Sequence, residues 1–231
     1  MQFPDDLSVG AIFVGRVAAH WHGKPPSGIV KLAVVGRQWL TETGICGDEQ
    51  ADPAHHGGPE KAVHHYAADH YPFWEREMPD VAARFVPGGV GENVSTRGLT
   101  EEMLCIGDVI RIGEAVVQVT QGRQPCWKLS AHVGRADMAA RFQKSGRTGW
   151  YYRVLREGFI AAGDAIALLE RPQPDWPLPA VIAARFDPKL DPGLAQRLAG
   201  LGELSGSWRA GFARKSDPTF VEDTGPRLAG G

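Results

Sequence analysis

Short runs rich in β-branched and aromatic residues, punctuated by glycine turns, dominate the first part of the chain and predict strands over 9–19 and 29–35. Gly36-Arg37 is a tight turn into a further strand at Gln38-Trp39-Leu40. The segment 60–84 reads as helix, broken near Pro72 and Pro79, with Ala62, Tyr66 and Trp74 sharing an inward face. The strongest hairpin joins Val109-Ile110-Arg111-Ile112 to the run 115–120 through Gly113-Glu114. A helix over 136–143 and a last pair of strands within 150–155 and 165–169 complete this part. The proline-dense stretch 171–177 has the composition of a linker. Beyond it three short helices are predicted over 179–185, 192–201 and 206–214, the second opened by Asp191 as N-cap and Pro192 at the first helical position. This organisation divides the chain into 1–170 and a helical module over 178–218, which a chain ended near Glu170 is expected to fold without.

Composition narrows the function classes. A net charge of -2 supplies no global field to recruit nucleic acid, and the basic excess of the tail is small. No apolar run approaches the roughly 20 residues that a membrane span needs. The first residues, Met1-Gln2-Phe3-Pro4-Asp5-Asp6, lack the layout of a secretory leader. Cys46, Cys105 and Cys126 are odd in number and widely spaced, which argues against a disulfide framework or a paired-cysteine zinc site and for a reducing cytoplasm.

Three segments concentrate chemistry. The first runs from Gly47-Asp48-Glu49-Gln50 to His56-Gly57-Gly58, with Lys61 opening the element that follows, a set of amides and charge suited to an anion or to a structural turn. His64 and His65 are adjacent and cannot both face one site, while His65 and His70 miss the i, i+4 spacing of a zinc helix. In the second, Gly91-Glu92-Asn93, Glu92 is a candidate proton donor and Asn93 offers an amide to a heterocycle, with a plain turn as the alternative. The third is Gln121-Gly122-Arg123-Gln124-Pro125-Cys126-Trp127-Lys128-Leu129, where a strand gives way to a helix. A helix start and the cations Arg123 and Lys128 favour the thiolate of Cys126, the form that attacks electrophiles or binds soft metals. The alternative is a cysteine packed as a small hydrophobe. Phosphate-loop, dinucleotide and serine-elbow fingerprints are absent from the sequence.

Taken in order, Gly47-Asp48-Glu49-Gln50-Ala51-Asp52, His56-Gly57-Gly58-Pro59, Lys61-Ala62, Tyr66, Tyr71, Gly91-Glu92-Asn93-Val94-Ser95-Thr96, Gly98-Leu99-Thr100-Glu101, Gly107-Asp108 and Pro125-Cys126-Trp127-Lys128-Leu129 resemble the MOSC-domain proteins, specifically their bacterial YiiM type. Leu204-Ser205-Gly206-Ser207-Trp208 is similar to the three-helix C-terminal domain of that subfamily. The resemblance implies a mostly β, barrel-like domain with helices around it and a small C-terminal three-helix domain. It implies a molybdenum cofactor, a molybdopterin whose metal takes Cys126 as its protein ligand, with His56, Lys61, Asn93 and Arg123 lining the pocket. The other two cysteines are expected to be packing residues. The activity implied is reduction of N-hydroxylated compounds such as hydroxylaminopurines, with His56 or Glu92 as proton donor and a separate flavoprotein as electron donor. Two alternatives stand beside it, sulfur transfer through a cysteine persulfide and a non-enzymatic binding module.

Overall fold

An open, curled sheet of nine strands forms the centre of the computed structural model, which describes residues 3–52 and 57–230. In chain order the strands are β1 (Leu7–Ser8), β2 (Ala11–Val14), β3 (Leu32–Val34), β4 (Gln38–Thr41), β5 (Gly44–Ile45), β6 (Val63–Ala67) and β7 (Val94–Thr96). They continue with β8 (Val109–Ile112), β9 (Ala115–Gly122), β10 (Trp150–Arg156), β11 (Gly158–Ile160) and β12 (Ala165–Glu170). The large sheet has the order β1-β12-β8-β9-β10-β6-β7-β2-β3, and β11-β4-β5 form a second, small sheet. The pairings are antiparallel except β6 with β7. The result is a mostly β half-barrel with surrounding helices, in line with the barrel-like domain that the resemblance implies.

The β8–β9 hairpin follows its pattern: Ile112 pairs with Ala115 across Gly113-Glu114, and Gly113 takes φ 56, the left-handed value a two-residue hairpin turn needs at its first position. The predicted first strand, 9–19, is shorter than expected: it is β2, followed by an isolated bridge from Ala18 to Ser27. The larger correction concerns 60–84. Only α1 (Tyr71–Glu77) and short 3-10 turns there are helical, while Val63–Ala67 is strand β6. All five residues of β6 are buried, so the strand lacks the apolar–polar alternation that marks a half-exposed one. Of its two histidines, His65 is held on both nitrogens by neighbouring strands. His65 meets the Tyr152 hydroxyl at 3.1 Å and Thr96 Oγ1 at 2.8 Å.

Two apolar cores result. One contains Tyr66, Tyr71, Trp74 and Phe142, joining β6 and α1 to α2 (Trp127–Val133) and α3 (Met138–Ser145). Within it the Trp74 and Phe142 rings stack at 5.5 Å, and the Trp74 indole donates to the Tyr66 hydroxyl at 2.7 Å. Ala62 belongs to the other core, so it does not share a face with Tyr66 and Trp74.

That other core runs without a break from the sheet into the C-terminal helices α4 (Leu178–Phe186), α5 (Pro192–Ala199) and α6 (Gly206–Lys215). Ile182, Leu198, Trp208 and Phe212 pack with Val117, Val119 and Trp150. Asp191 caps α5 as anticipated, its carboxylate accepting from the Leu194 amide at 2.8 Å. The shared core makes the proline-rich linker a connection between packed parts. A chain ended near Glu170 would expose the face that Ile182 and Trp208 cover.

At Gly122 the sheet and the C-terminal helices approach closely. A Cβ there would lie 2.4 Å from Ile182 Cγ1 and 3.3 Å from the Trp208 ring. Gly122→Ala is therefore expected to destabilise the protein by about 1–3 kcal/mol through overpacking. Urea unfolding measures this, and a cost below a few tenths of a kcal/mol would mean that the helices dock loosely.

Candidate active site around Cys126

The end of β9 delivers Arg123 and, three residues later, Cys126 to the edge of an open cleft whose cavity is about 80 Å³. Its walls are the loop after β5 (Asp48 to Ala51), the segment before β3 (Ser27 to Lys31), Lys61, His64 of β6, Asn93 before β7, and Tyr151 of β10. Cys126 is half-buried, in no disulfide, and extended at φ -133 as the N-cap of α2. That helix has only seven residues, so the cations around the sulfur are the larger electrostatic feature. Lys61, Arg123 and Lys128 all line the cleft with Cys126.

Asp48 organises the opposite wall. Its carboxylate is an ion-pair partner of Lys31 and accepts from the Gly15 amide at 2.7 Å, Gln50 at 3.0 Å and the Asn93 amide at 2.9 Å. The Lys31 and Asp48 side chains are 6% and 1% exposed, so this pair is sheltered from solvent screening. Burial lowers the Lys31 pKa, and the adjacent Asp48 works against that shift. Asn93 ties the wall to the sheet: its side-chain oxygen accepts from the His64 amide at 3.2 Å, and its Nδ2 also reaches the Phe13 carbonyl at 3.2 Å.

Arg123 is 8% exposed and donates to the Val90 carbonyl at 2.5 Å, with its guanidinium 5.8 Å above the Phe142 ring. Its charge reaches His64. Burial first, and Arg123 second, hold the His64 ring well below the usual histidine range, although the Thr148 and Gly91 carbonyls favour a proton on it. With Nε2 3.2 Å from the Thr148 carbonyl, the neutral ring is the Nε2–H tautomer and Nδ1 carries a lone pair. That buried Nδ1 has no hydrogen-bond partner among the described residues.

The sequence candidates separate in space. Lys61, Asn93, Arg123 and Cys126 meet in the cleft. His56 lies outside the described residues, which skip 53–56. Glu92 does not line the cleft. It is fully buried and accepts from the Tyr71 hydroxyl at 2.5 Å, the Gly88 amide at 2.6 Å and the Val90 amide at 3.3 Å, holding the 88–92 loop in shape. Burial pushes its carboxyl up. Cys105 is buried, 3.7 Å from the Pro174 carbonyl, whereas Cys46 is exposed rather than packed. His64 and His65 point to opposite sides of β6, so only His64 reaches the cleft. Sequence reading missed Lys31, His64 and Tyr151. The signal for Tyr151 was strand register, since it sits directly opposite His64.

The buried imidazoles make stability depend on pH. Burial holds His65 at about 3, and burial with Arg123 holds His132 at about 4, against 6.5 for a free ring. The unfolded chain therefore binds protons that the folded one refuses, and stability falls as pH drops from 6.5 towards 4. Each ring contributes about 1.4 kcal/mol per pH unit in that window. Glu92 acts oppositely, since its raised pKa adds stability at low pH that is lost as pH rises. His65→Gln should flatten the acid slope of the unfolding free energy by about one proton; an unchanged slope would mean that His65 titrates normally.

With this geometry in place, the comparisons with known proteins fix the class. The MOSC domain model matches residues 52–167, and the YiiM-like, 3-alpha helix domain model matches 176–215. The chain belongs to the MOSC domain family. It is 38% identical over 230 residues to Protein YiiM of Escherichia coli (strain K12), covering 100% of both chains. The crystal structure of YiiM from Escherichia coli superposes with a TM-score of 0.82 at 33% identity, covering 98% of this chain and 100% of that one. A protein of Gibberella moniliformis named "Reductase" is 41% identical over 155 residues, which are 67% of this chain and 28% of its own. Among the described residues no helix is long and apolar enough to cross a membrane.

Proposed function

We propose that this chain reduces N-hydroxylated compounds, hydroxylaminopurine-type base analogues among them, using a molybdenum cofactor and electrons from a separate flavoprotein. The observation that carries the reading is the donor set of the cleft: one cysteine sulfur among Lys61, Arg123 and Lys128, facing a neutral His64 with a bare Nδ1. A thiolate is the soft ligand that molybdenum takes from protein, and an anionic pterin phosphate requires cations. Among the described residues no three His, Cys, Asp or Glu side chains group to hold a metal ion themselves, so a metal here would take most of its ligands from the cofactor. These residues fit the group.

When bound, such a cofactor supplies a two-electron centre for the overall conversion of R–NHOH, two electrons and two protons into R–NH₂ and water. The chain's own residues then have separable tasks. Cys126 anchors the metal, while Lys61 and Arg123 neutralise the anionic parts of the group. Gln50 presents an amide that Asp48 holds in place, while Asn93, whose Nδ2 protons go to Asp48 and the Phe13 carbonyl, ties the wall to the sheet. Tyr151, 5.0 Å from the His64 ring, helps to close the cleft against water. The leaving oxygen needs a proton. With Glu92 turned into its own loop, His56 is the sequence candidate that this reading keeps. The longer "Reductase" relative carries its matched segment within a larger chain, which is in keeping with reducing equivalents that arrive from another domain or protein.

Protein made in a host that synthesises the cofactor should purify with about one molybdenum and one pterin per chain, and His56→Gln should keep both while slowing turnover. Metal-free protein that still reduces the substrate would remove the reading. Loss of metal in parallel with activity would make His56 a cofactor contact.

A further inference from the structure

A second cavity, of about 490 Å³, adjoins the cleft; its outer wall includes the strap after α6, tied down where Arg227 donates to the Pro125 carbonyl at 2.5 Å. Lys61, Arg123, Cys126 and Tyr151 line both spaces and so mark where the two meet. Two of these are cations and one is the thiol. The fourth is a neutral phenol.

Strand β10 fixes that phenol in place. Tyr151 pairs with His64 of β6 on one side and with Gln121 of β9 on the other. Its neighbours Trp150 and Tyr152 alternate to the opposite face and are fully buried in the larger core. The Tyr152 hydroxyl is engaged there by His65 Nδ1 at 3.1 Å. The Tyr151 hydroxyl has no hydrogen-bond partner among the described residues, and its half-buried side chain is not sealed off as His64 Nδ1 is. Burial raises the pKa of the phenol, Arg123 opposes the shift, and Cys126 and Asp48 add to it, so the hydroxyl keeps its proton at neutral pH. Neighbouring neutral donors are already committed. Asn93 gives its Nδ2 protons to Asp48 and the Phe13 carbonyl, and His64 directs Nε2–H at the Thr148 carbonyl.

An N-hydroxylated base differs from its amine by one oxygen, so a preference for substrate over product needs a group that meets that oxygen. Cations suit anionic groups. A neutral hydroxyl is matched by a group able both to donate and to accept, as a phenol is. A donor that the amine leaves unpaired disfavours the product complex.

We propose that Tyr151 is the residue that recognises the N–OH group, its hydroxyl meeting the substrate oxygen beside Cys126. This rests on the reductase reading for the substrate class, and it adds the group that tells substrate from product. The contact is a hydrogen bond; supply of a proton to the departing oxygen remains a separate task.

Calorimetric titration of the oxidised, cofactor-loaded protein with adenine and with its N-hydroxylated form tests it, since the two differ by one oxygen and no turnover occurs without an electron donor. The N-hydroxylated base is expected to bind the wild type about tenfold more tightly, the order of one net hydrogen bond. Tyr151→Phe keeps the ring and removes only the oxygen, so it should erase that preference while leaving the affinity for adenine and the unfolding midpoint unchanged. Equal affinities in the wild type, or a preference that survives in Tyr151→Phe, overturn the proposal. A parallel loss of both affinities in Tyr151→Phe assigns the residue a packing role and likewise overturns it. Metal content and turnover judge the reductase reading separately. A wild type that carries molybdenum and turns over, with the preference intact in Tyr151→Phe, removes the Tyr151 assignment alone, whereas binding of neither base removes both.

Discussion

Cys126→Ser should reduce turnover of an N-hydroxylated substrate to background while Cys46→Ser and Cys105→Ser remain active. Serine preserves the shape of the side chain but replaces a soft, readily ionised sulfur with a hard hydroxyl. Loss of roughly 4 kcal/mol of stabilisation is already a factor of about 10³ in rate. The fold should persist, because Cys126 is half-buried at the rim of the cleft and belongs to neither apolar core. Cys105 provides the contrast. Burial raises its thiol pKa, it sits beside the linker at Pro174, and it does not line the cleft. Turnover assays and circular dichroism on the three variants separate loss of chemistry from loss of fold. Full activity in Cys126→Ser would return that residue to a packing role.

Asp48→Ala is expected to have the largest effect on stability of any single change in the cleft. It leaves the Lys31 ammonium buried without its counter-charge and removes the acceptor for Gly15, Gln50 and Asn93. Breaking a buried pair from one side costs about 3–5 kcal/mol. The Lys31→Met/Asp48→Asn double variant should recover much of that, because the isolated charge is then gone and an amide replaces the carboxylate. Urea denaturation of the wild type and both variants gives these values. A cost under about 1 kcal/mol for Asp48→Ala would show that water reaches Lys31 and that the wall is less closed than its burial indicates.

How legible the sequence was depended on where each element gets its stability. The β8–β9 hairpin and the Asp191 cap are local devices, a glycine turn and a side chain bonding three residues on, and both are read directly from the chain. Strand β6 is not local. Val63–Ala67 is a strand because β7 and β10 bond it on either side, and Tyr152 and Thr96 bond both nitrogens of His65 while Thr148 meets His64 Nε2, all from distant segments. Nothing within the segment 60–84 announces those partners, and its alanines made a helix, broken at the prolines, the reasonable expectation. The linker at 171–177 was visible, but the continuity of the core across it was not, since that depends on Gly122 meeting Ile182.

The site divides in the same way. Cys126, Arg123, Asn93 and Lys61 were legible because ordered motifs carry them, and they do meet in one cleft. Glu92 belongs to the same motif, yet its carboxylate bonds the 88–92 loop instead of facing the cleft, a distinction that only side-chain direction reveals. Lys31 and Tyr151 lie in ordinary strand-rich sequence and become part of the site through the Asp48 ion pair and the register opposite His64. Arg227 was hidden more deeply, beyond the last helix that the sequence predicts. Its bond to the Pro125 carbonyl crosses 102 positions of the chain.

The central claim is that Cys126 holds molybdenum, and X-ray absorption at the molybdenum edge tests it most directly. The spectrum of the cofactor-loaded wild type should show one more sulfur neighbour than that of Cys126→Ser, with Cys46→Ser and Cys105→Ser matching the wild type. A Cys126→Ser protein that keeps the wild-type sulfur count contradicts the assignment.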